Sequence, residues 1–80
     1  MKLTLLEGWR TIRNGVLGGG EISGYGVTGL PAGEHAMIAY FNHSWRFLRW
    51  NDVWHGNWTG RYPNPGAALD ALREELLAAV

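Results

Sequence analysis

The chain has 80 residues, a formal net charge of zero and no cysteine. A chain of this length forms one domain, residues 1–80, and buries only a little over ~60% of its unfolded surface. The lack of cysteine excludes a disulfide framework, a Cys-ligated zinc site and a thiol nucleophile. Because small secreted domains usually depend on disulfides, the composition favours the cytoplasm. No segment approaches the ~18–20 apolar residues of a membrane span.

The charge balance bears on the kind of partner. Seven basic residues cancel seven acidic ones, whereas domains that hold a nucleic-acid backbone usually show a basic excess. Lys2 is the one lysine, and the other six basic residues are arginines. Arginine forms bidentate and stacked contacts, so this bias favours ordered ion pairs or an interface.

Residues 1–20 allow two interpretations. Thr4–Glu7 matches a helix capping box, which favours a short helix. Residues 9–13 alternate as a strand does, and Asn14-Gly15 is a strong signal for a two-residue hairpin turn. The hairpin is the favoured interpretation, and the short helix remains the alternative.

Glycine dominates the next segment. Eight glycines fall within residues 15–33, among small and turn-forming residues. This composition predicts an irregular loop.

Three strands are predicted next, because apolar residues, many of them aromatic, recur between turn signals. The turns are Asn42–Ser44 and Asn51-Asp52. The strands are Glu34–Phe41, Trp45–Trp50 and Val53–Tyr62.

The C-terminal segment predicts a helix over residues 64–80. Asn64 suits the N-cap, and Pro65 suits the first helical position. Leu69, Leu72 and Leu76 then recur at helical spacing. The fold class is therefore α+β: an antiparallel meander of three to five strands packed against one C-terminal amphipathic helix.

The aromatic residues carry the main functional signal. Four of the five tryptophans fall within residues 45–58. Strand alternation puts Trp54, Trp58 and Tyr62 on one face, where we expect them to support the helix. The strand Trp45–Trp50 is apolar on both faces, and one helix covers only one face of a small sheet. The N-terminal segment, a second copy of the chain or a ligand must therefore cover the other face.

Catalytic and metal-binding patterns are weak. The three histidines show no metal-ligand spacing. Asp52 and His55 alone do not define a catalytic pair. The triplet Gly18–Gly20 lacks the Lys-Ser/Thr of a phosphate-binding loop. The sequence therefore predicts no enzyme activity, no cofactor and no metal site.

These observations favour a non-enzymatic protein-binding module or inhibitor that docks an aromatic and arginine-bearing sheet face onto a larger protein or protein complex. A short, cysteine-free, single-domain meander with a helix is similar in format to many phage and mobile-element proteins. Some of those, including anti-CRISPR proteins, block host defence complexes. The alternatives are a nucleic-acid-binding domain that uses the same face and a structural homodimer or higher homo-oligomer. The predicted partner-binding residues are Trp45, Arg46, Phe47, Arg49, Trp50, His55 and Arg61.

Overall fold

The computed structural model of the chain describes residues 2–6, 10–13 and 21–78. Within these ranges the chain forms six strands followed by one helix. The elements are β1 (Thr4–Leu5), β2 (Arg10–Arg13), β3 (Glu21–Thr28), β4 (His35–Phe41), β5 (Ser44–Trp50), β6 (Thr59–Tyr62) and α1 (Pro65–Ala78).

The strands form one antiparallel sheet. From β3 onward each strand pairs with the next along the chain, so β3, β4, β5 and β6 make a meander. Both β1 and β2 pair with β3, β1 at its C-terminal end and β2 at its N-terminal half. The six strands therefore fill five positions. The structure confirms the predicted fold class, a small α+β domain with one C-terminal helix.

The hairpin of β4 and β5 is the most regular part of the sheet. Seven residue pairs join the two strands, from His35 opposite Trp50 to Phe41 opposite Ser44. Asn42 and His43 form the two-residue loop, and their φ angles are 51° and 63°. Positive φ at both positions defines a type I′ turn, whose twist matches that of the paired strands.

The core lies between one face of the sheet and the helix. Ile38 and Leu72 are fully buried there, and Phe47 is only 3% exposed. Each such side chain contributes about 1.5–3 kcal/mol when it leaves water. The remaining buried members of the cluster are Leu3, Ala36, Ala68 and Leu76.

The helix begins as the sequence predicts. The side chain of Asn64 accepts a hydrogen bond from the backbone N–H of Ala67 at 2.7 Å, which is the N-cap interaction. Pro65 occupies the first helical position. Residues 79 and 80, which the predicted helix included, lie outside the described residues. The helix has 14 residues, and no described helix is long and apolar enough to cross a membrane.

The strand predicted over Val53–Tyr62 is too long. Strand β6 begins only at Thr59, because local hydrogen bonds fold the preceding residues into a turn. The Asn51 side chain accepts hydrogen bonds from the backbone N–H groups of Val53 and Trp54 at 2.9 and 2.8 Å. A backbone hydrogen bond from Gly56 to the Arg49 carbonyl, 2.9 Å long, closes this turn against β5.

The irregular loop predicted over residues 15–33 is also corrected. Residues 21–28 of that segment form β3, which pairs with three other strands. Glycine suits this strand because neighbouring backbone lies close: a Cβ atom on Gly24 would lie 2.4 Å from the Ile38 carbonyl oxygen. Residues 15–20 lie outside the described residues.

The N-terminal segment agrees with the strand interpretation where it is described. Residues 4–5 and 10–13 are strands, and none of the described N-terminal residues is helical. The predicted Asn14-Gly15 turn and Trp9 lie outside the described residues.

Candidate functional site

The sheet has two unequal faces. The helix packs against β4, β5 and β6 on one face. The residues opposite one another in the hairpin, such as Met37 and Leu48, or Ala39 and Arg46, alternate between the faces. Because Ile38 and Phe47 face the helix, these two pairs lie on the other side of the sheet. We call that side the far face.

Trp50 occupies the centre of a three-ring stack on the far face. The His35 ring lies 5.6 Å from it, and the His55 ring lies 6.3 Å from it on centroid distances, with interplanar angles of 22° and 23°. His35 comes from the paired strand β4, and an isolated bridge pairs His55 with Trp50. The turn that Asn51 organises therefore brings His55 onto this face.

This stack gives Trp50 a defined orientation. Because a histidine ring packs near each side of the indole, its orientation is fixed by neighbours on two separate segments. A rigid aromatic side chain loses little conformational entropy on binding a partner. The indole also keeps an N–H donor at its edge.

Two arginines lie on the same side of the sheet as Trp50. Arg46 Nη1 donates a hydrogen bond to the Gly60 carbonyl at 2.9 Å. A β-bulge at this point inserts one extra residue in β6, and Gly60 absorbs it with φ of 99°. Arg61 is exposed and makes no hydrogen bond or ion pair with any described residue. Alternation from Tyr62, which packs against the core, places Arg61 on the far face.

The other three predicted contact residues lie on the helix side. Phe47 is buried in the core, so it is not accessible to a partner in this structure. Trp45 packs against the core cluster. Arg49 donates a hydrogen bond to Glu75 of the helix at 3.0 Å. Of the seven predicted residues, four lie on the far face: Arg46, Trp50, His55 and Arg61.

The three aromatic residues predicted to support the helix do not all pack in the core. Tyr62 packs against the core, where its ring stacks on Phe47 at 6.2 Å. Trp54 is 47% exposed and is not part of the core cluster. The Arg49 guanidinium covers the Trp54 ring at 5.1 Å from its centroid. Trp58 is partly buried.

Sequence reasoning missed two groups of residues. His35 completes the Trp50 stack, and its position opposite Trp50 could have been read from the length of the hairpin loop. Tyr25, Tyr40 and Trp45 form an aromatic cluster on the helix side, with centroid distances of 5.8 and 5.5 Å from Trp45. No signal in the sequence revealed this cluster, because it depends on β3 being a strand.

The described residues contain no group of three His, Cys, Asp or Glu side chains that could hold a metal ion. Because Trp50 stacks between His35 and His55, these two histidines cannot share one ligand. The described residues of the far face include aromatic, aliphatic and arginine side chains.

No protein-family model matches the chain, and no curated protein or solved structure matches it either.

Proposed function

We propose that this chain is a small non-enzymatic protein-binding module or inhibitor that docks the far face of its sheet onto a larger protein. One observation carries the proposal. The helix packs against one face of the sheet, while the opposite face carries Trp50, stacked between two histidine rings, and the exposed Arg61.

The composition of the far face supports a protein partner. Trp and Arg are the residue types most enriched among side chains that dominate binding energy. Met37 and Leu48 are partly buried beside Trp50 and add apolar contact area. His35, His55 and Arg61 are exposed around them and supply a polar rim.

The edges of the sheet are poor docking sites in comparison. Strand β6 has four residues and contains a bulge, and the opposite edge consists of the short strands β1 and β2. Short and bulged edge strands resist pairing with another chain. Contact through side chains of a face therefore agrees better with this architecture than addition of a partner strand.

Nucleic-acid binding is less well supported. Phosphate contacts from this sheet would have to come from its arginines, Arg46, Arg49 and Arg61. Arg46 and Arg49 both donate hydrogen bonds inside the protein, to Gly60 and Glu75. The net charge of zero supplies no compensating long-range attraction.

The composition and format of the chain also bear on its biological setting. The absence of cysteine favours the cytoplasm, where disulfides are rare. The format shared with small phage and mobile-element proteins, anti-CRISPR proteins among them, favours an inhibitor of a larger protein complex. No residue of such a protein is carried over to this chain.

An affinity capture from the native host tests this function with a matched pair of variants. Arg61→Glu reverses an exposed charge on the far face. Arg73→Glu makes the same change on the helix, where Arg73 pairs with Asp70 at 3.0 Å. Wild type and Arg73→Glu are expected to retain the same protein, which mass spectrometry identifies, and Arg61→Glu is expected to lose it.

Three outcomes contradict the proposal. Equal capture by both variants excludes the far face as the contact surface. Recovery of nucleic acid in a steeply salt-dependent manner supports phosphate contact instead. A stable dimer on size-exclusion chromatography with mass measurement, disrupted by Arg61→Glu, shows that a second copy of the chain occupies the face.

A further inference from the structure

A cleft of about 460 Å³ opens beside the far face, where β3 ends and β4 begins. Its volume falls in the range of ligand-binding pockets, which are mostly apolar with a few polar groups. Trp50 and His35 belong to its wall, so the cleft adjoins the proposed docking surface. The aliphatic part of the lining comes from Leu6, Val27, Leu30 and Met37.

Among the described residues that line this cleft, Glu34 is the one carboxylate. Its Oε1 atom lies 3.5 Å from Asn51 Nδ2 and 4.0 Å from Arg49 Nη2. Its Oε2 atom and the Nε atom of Arg49 are both buried, and neither has a hydrogen-bond partner among the described residues. A buried acceptor without a donor is uncommon in folded proteins, because its desolvation is not compensated.

The charges around Glu34 favour a cation in the cleft. Glu34 and Glu75 share the single guanidinium of Arg49, at 4.0 and 3.0 Å. These three side chains together carry two negative charges and one positive charge. An added positive group near Glu34 therefore completes the charge balance, whereas an added anion opposes it.

We propose that the cleft receives a lysine or arginine side chain of the partner protein. Its aliphatic stem packs against the apolar lining, and its charged end pairs with the Glu34 carboxylate, whose side chain is 23% exposed. Long basic side chains bind in this way, with the stem on apolar surface and the charge on a polar group. Because His35 and His55 stack on Trp50, the carboxylate and not the indole face holds the cation.

This inference rests on the proposed function, since the adjoining far face positions the partner. The two can nevertheless be tested separately, because small cations mimic the side chain without the partner. n-Butylammonium and n-butylguanidinium are the probes. Pentanoate and 1-pentanol match them in length and carry a negative charge or none.

A ¹H–¹⁵N NMR titration measures binding of each probe. We expect both cations to shift the Trp50 indole N–H and the backbone signals of Leu6 and Met37 in a saturable manner. Pentanoate and 1-pentanol are expected to leave these signals unshifted. Glu34→Gln keeps the side-chain shape and removes the charge, and it is expected to weaken cation binding about tenfold or more.

Glu75→Gln is the matched control. It removes the other carboxylate that contacts Arg49, but Glu75 does not line this cleft. It is therefore expected to weaken binding of the cations by much less than Glu34→Gln. If Glu34→Gln loses its dispersed spectrum, the comparison of cations with pentanoate in the wild type remains a complete test.

Binding of pentanoate or 1-pentanol as tight as that of the cations overturns the proposal. Equal weakening of cation binding by Glu34→Gln and Glu75→Gln also overturns it, because such a result shows that both variants act through Arg49. If the cations do not bind but Arg61→Glu still abolishes affinity capture, the cleft proposal fails and the far face remains the proposed contact surface. If the cations bind but Arg61→Glu does not reduce affinity capture, the far face is rejected as the contact surface instead.

Discussion

Arg49 of β5 donates a hydrogen bond from Nη1 to Oε2 of Glu75 in the helix, at 3.0 Å, and so links the sheet to the helix. The Arg49 side chain is only 12% exposed. Its guanidinium also covers the Trp54 ring and approaches Glu34 at 4.0 Å. Arg49 is therefore a structural residue that joins three segments.

The first prediction concerns this arginine. Arg49→Ala is expected to lower the free energy of unfolding by about 2 kcal/mol, because it leaves the partly buried Glu34 without its cationic neighbour. Arg73→Ala removes an exposed ion pair with Asp70 and should cost at most about 0.5 kcal/mol. Urea unfolding followed by Trp fluorescence measures both. Equal losses for the two variants contradict the structural role of Arg49.

The helix offers a matched test of the core. Leu72 is fully buried and Leu77 is 50% exposed on the same helix. Leu72→Ala is expected to cost about 2–5 kcal/mol through lost burial and the resulting cavity. Leu77→Ala should change stability by about 0.5 kcal/mol or less. Thermal unfolding by circular dichroism distinguishes them, and a larger loss for Leu77→Ala shows that the helix packs through another face.

The type I′ turn gives a prediction in the stabilising direction. His43 has φ of 63°, a conformation that costs a residue with a Cβ atom about 1–2 kcal/mol. His43→Gly is expected to gain about 0.5–1 kcal/mol, since the relief of strain exceeds the added entropy of the unfolded chain. His43→Ala keeps the strain and should show no gain. A stabilisation by alanine as large as that by glycine excludes backbone strain as the cause.

Two glycines have similar φ angles but different surroundings, so their alanine variants distinguish backbone strain from steric clash. Gly29 and Gly33 have φ of 88° and 83°. A Cβ atom on Gly29 would lie 2.0 Å from the Lys2 carbonyl oxygen, while one on Gly33 meets nothing within 4 Å. Both alanine variants are strained, but Gly29→Ala is expected to cost at least about 1 kcal/mol more, because the backbone must move. Chemical denaturation measures the difference, and equal costs contradict the close approach of Lys2.

The elements that local signals define were predictable from the sequence. Asn64 and Pro65 mark the start of the helix, and the structure has both in those roles. The strands β4 and β5 begin within one residue of the predicted positions. Capping and turn residues act on their immediate neighbours, so their effect can be read without knowledge of the fold.

The errors arose where distant contacts decide the structure. Residues 21–28 are glycine-rich and polar for a strand, yet pairing with β4 on one side and with β1 and β2 on the other makes them one. Trp54 was predicted to support the helix but lies outside the core cluster, because hydrogen bonds to the Asn51 side chain place it in a turn. Which face the helix covers also depends on where the chain turns after Tyr62.

The central claim is that the far face is the contact surface, and one pair of affinities tests it most directly. With the captured partner purified, isothermal titration calorimetry measures the dissociation constant for Arg61→Glu and for Arg73→Glu against wild type. The account predicts a loss of about tenfold or more for Arg61→Glu, because it places a like charge or an unpaired charge in the interface. Arg73→Glu should stay within about twofold of wild type. An Arg61→Glu affinity equal to that of Arg73→Glu contradicts the claim.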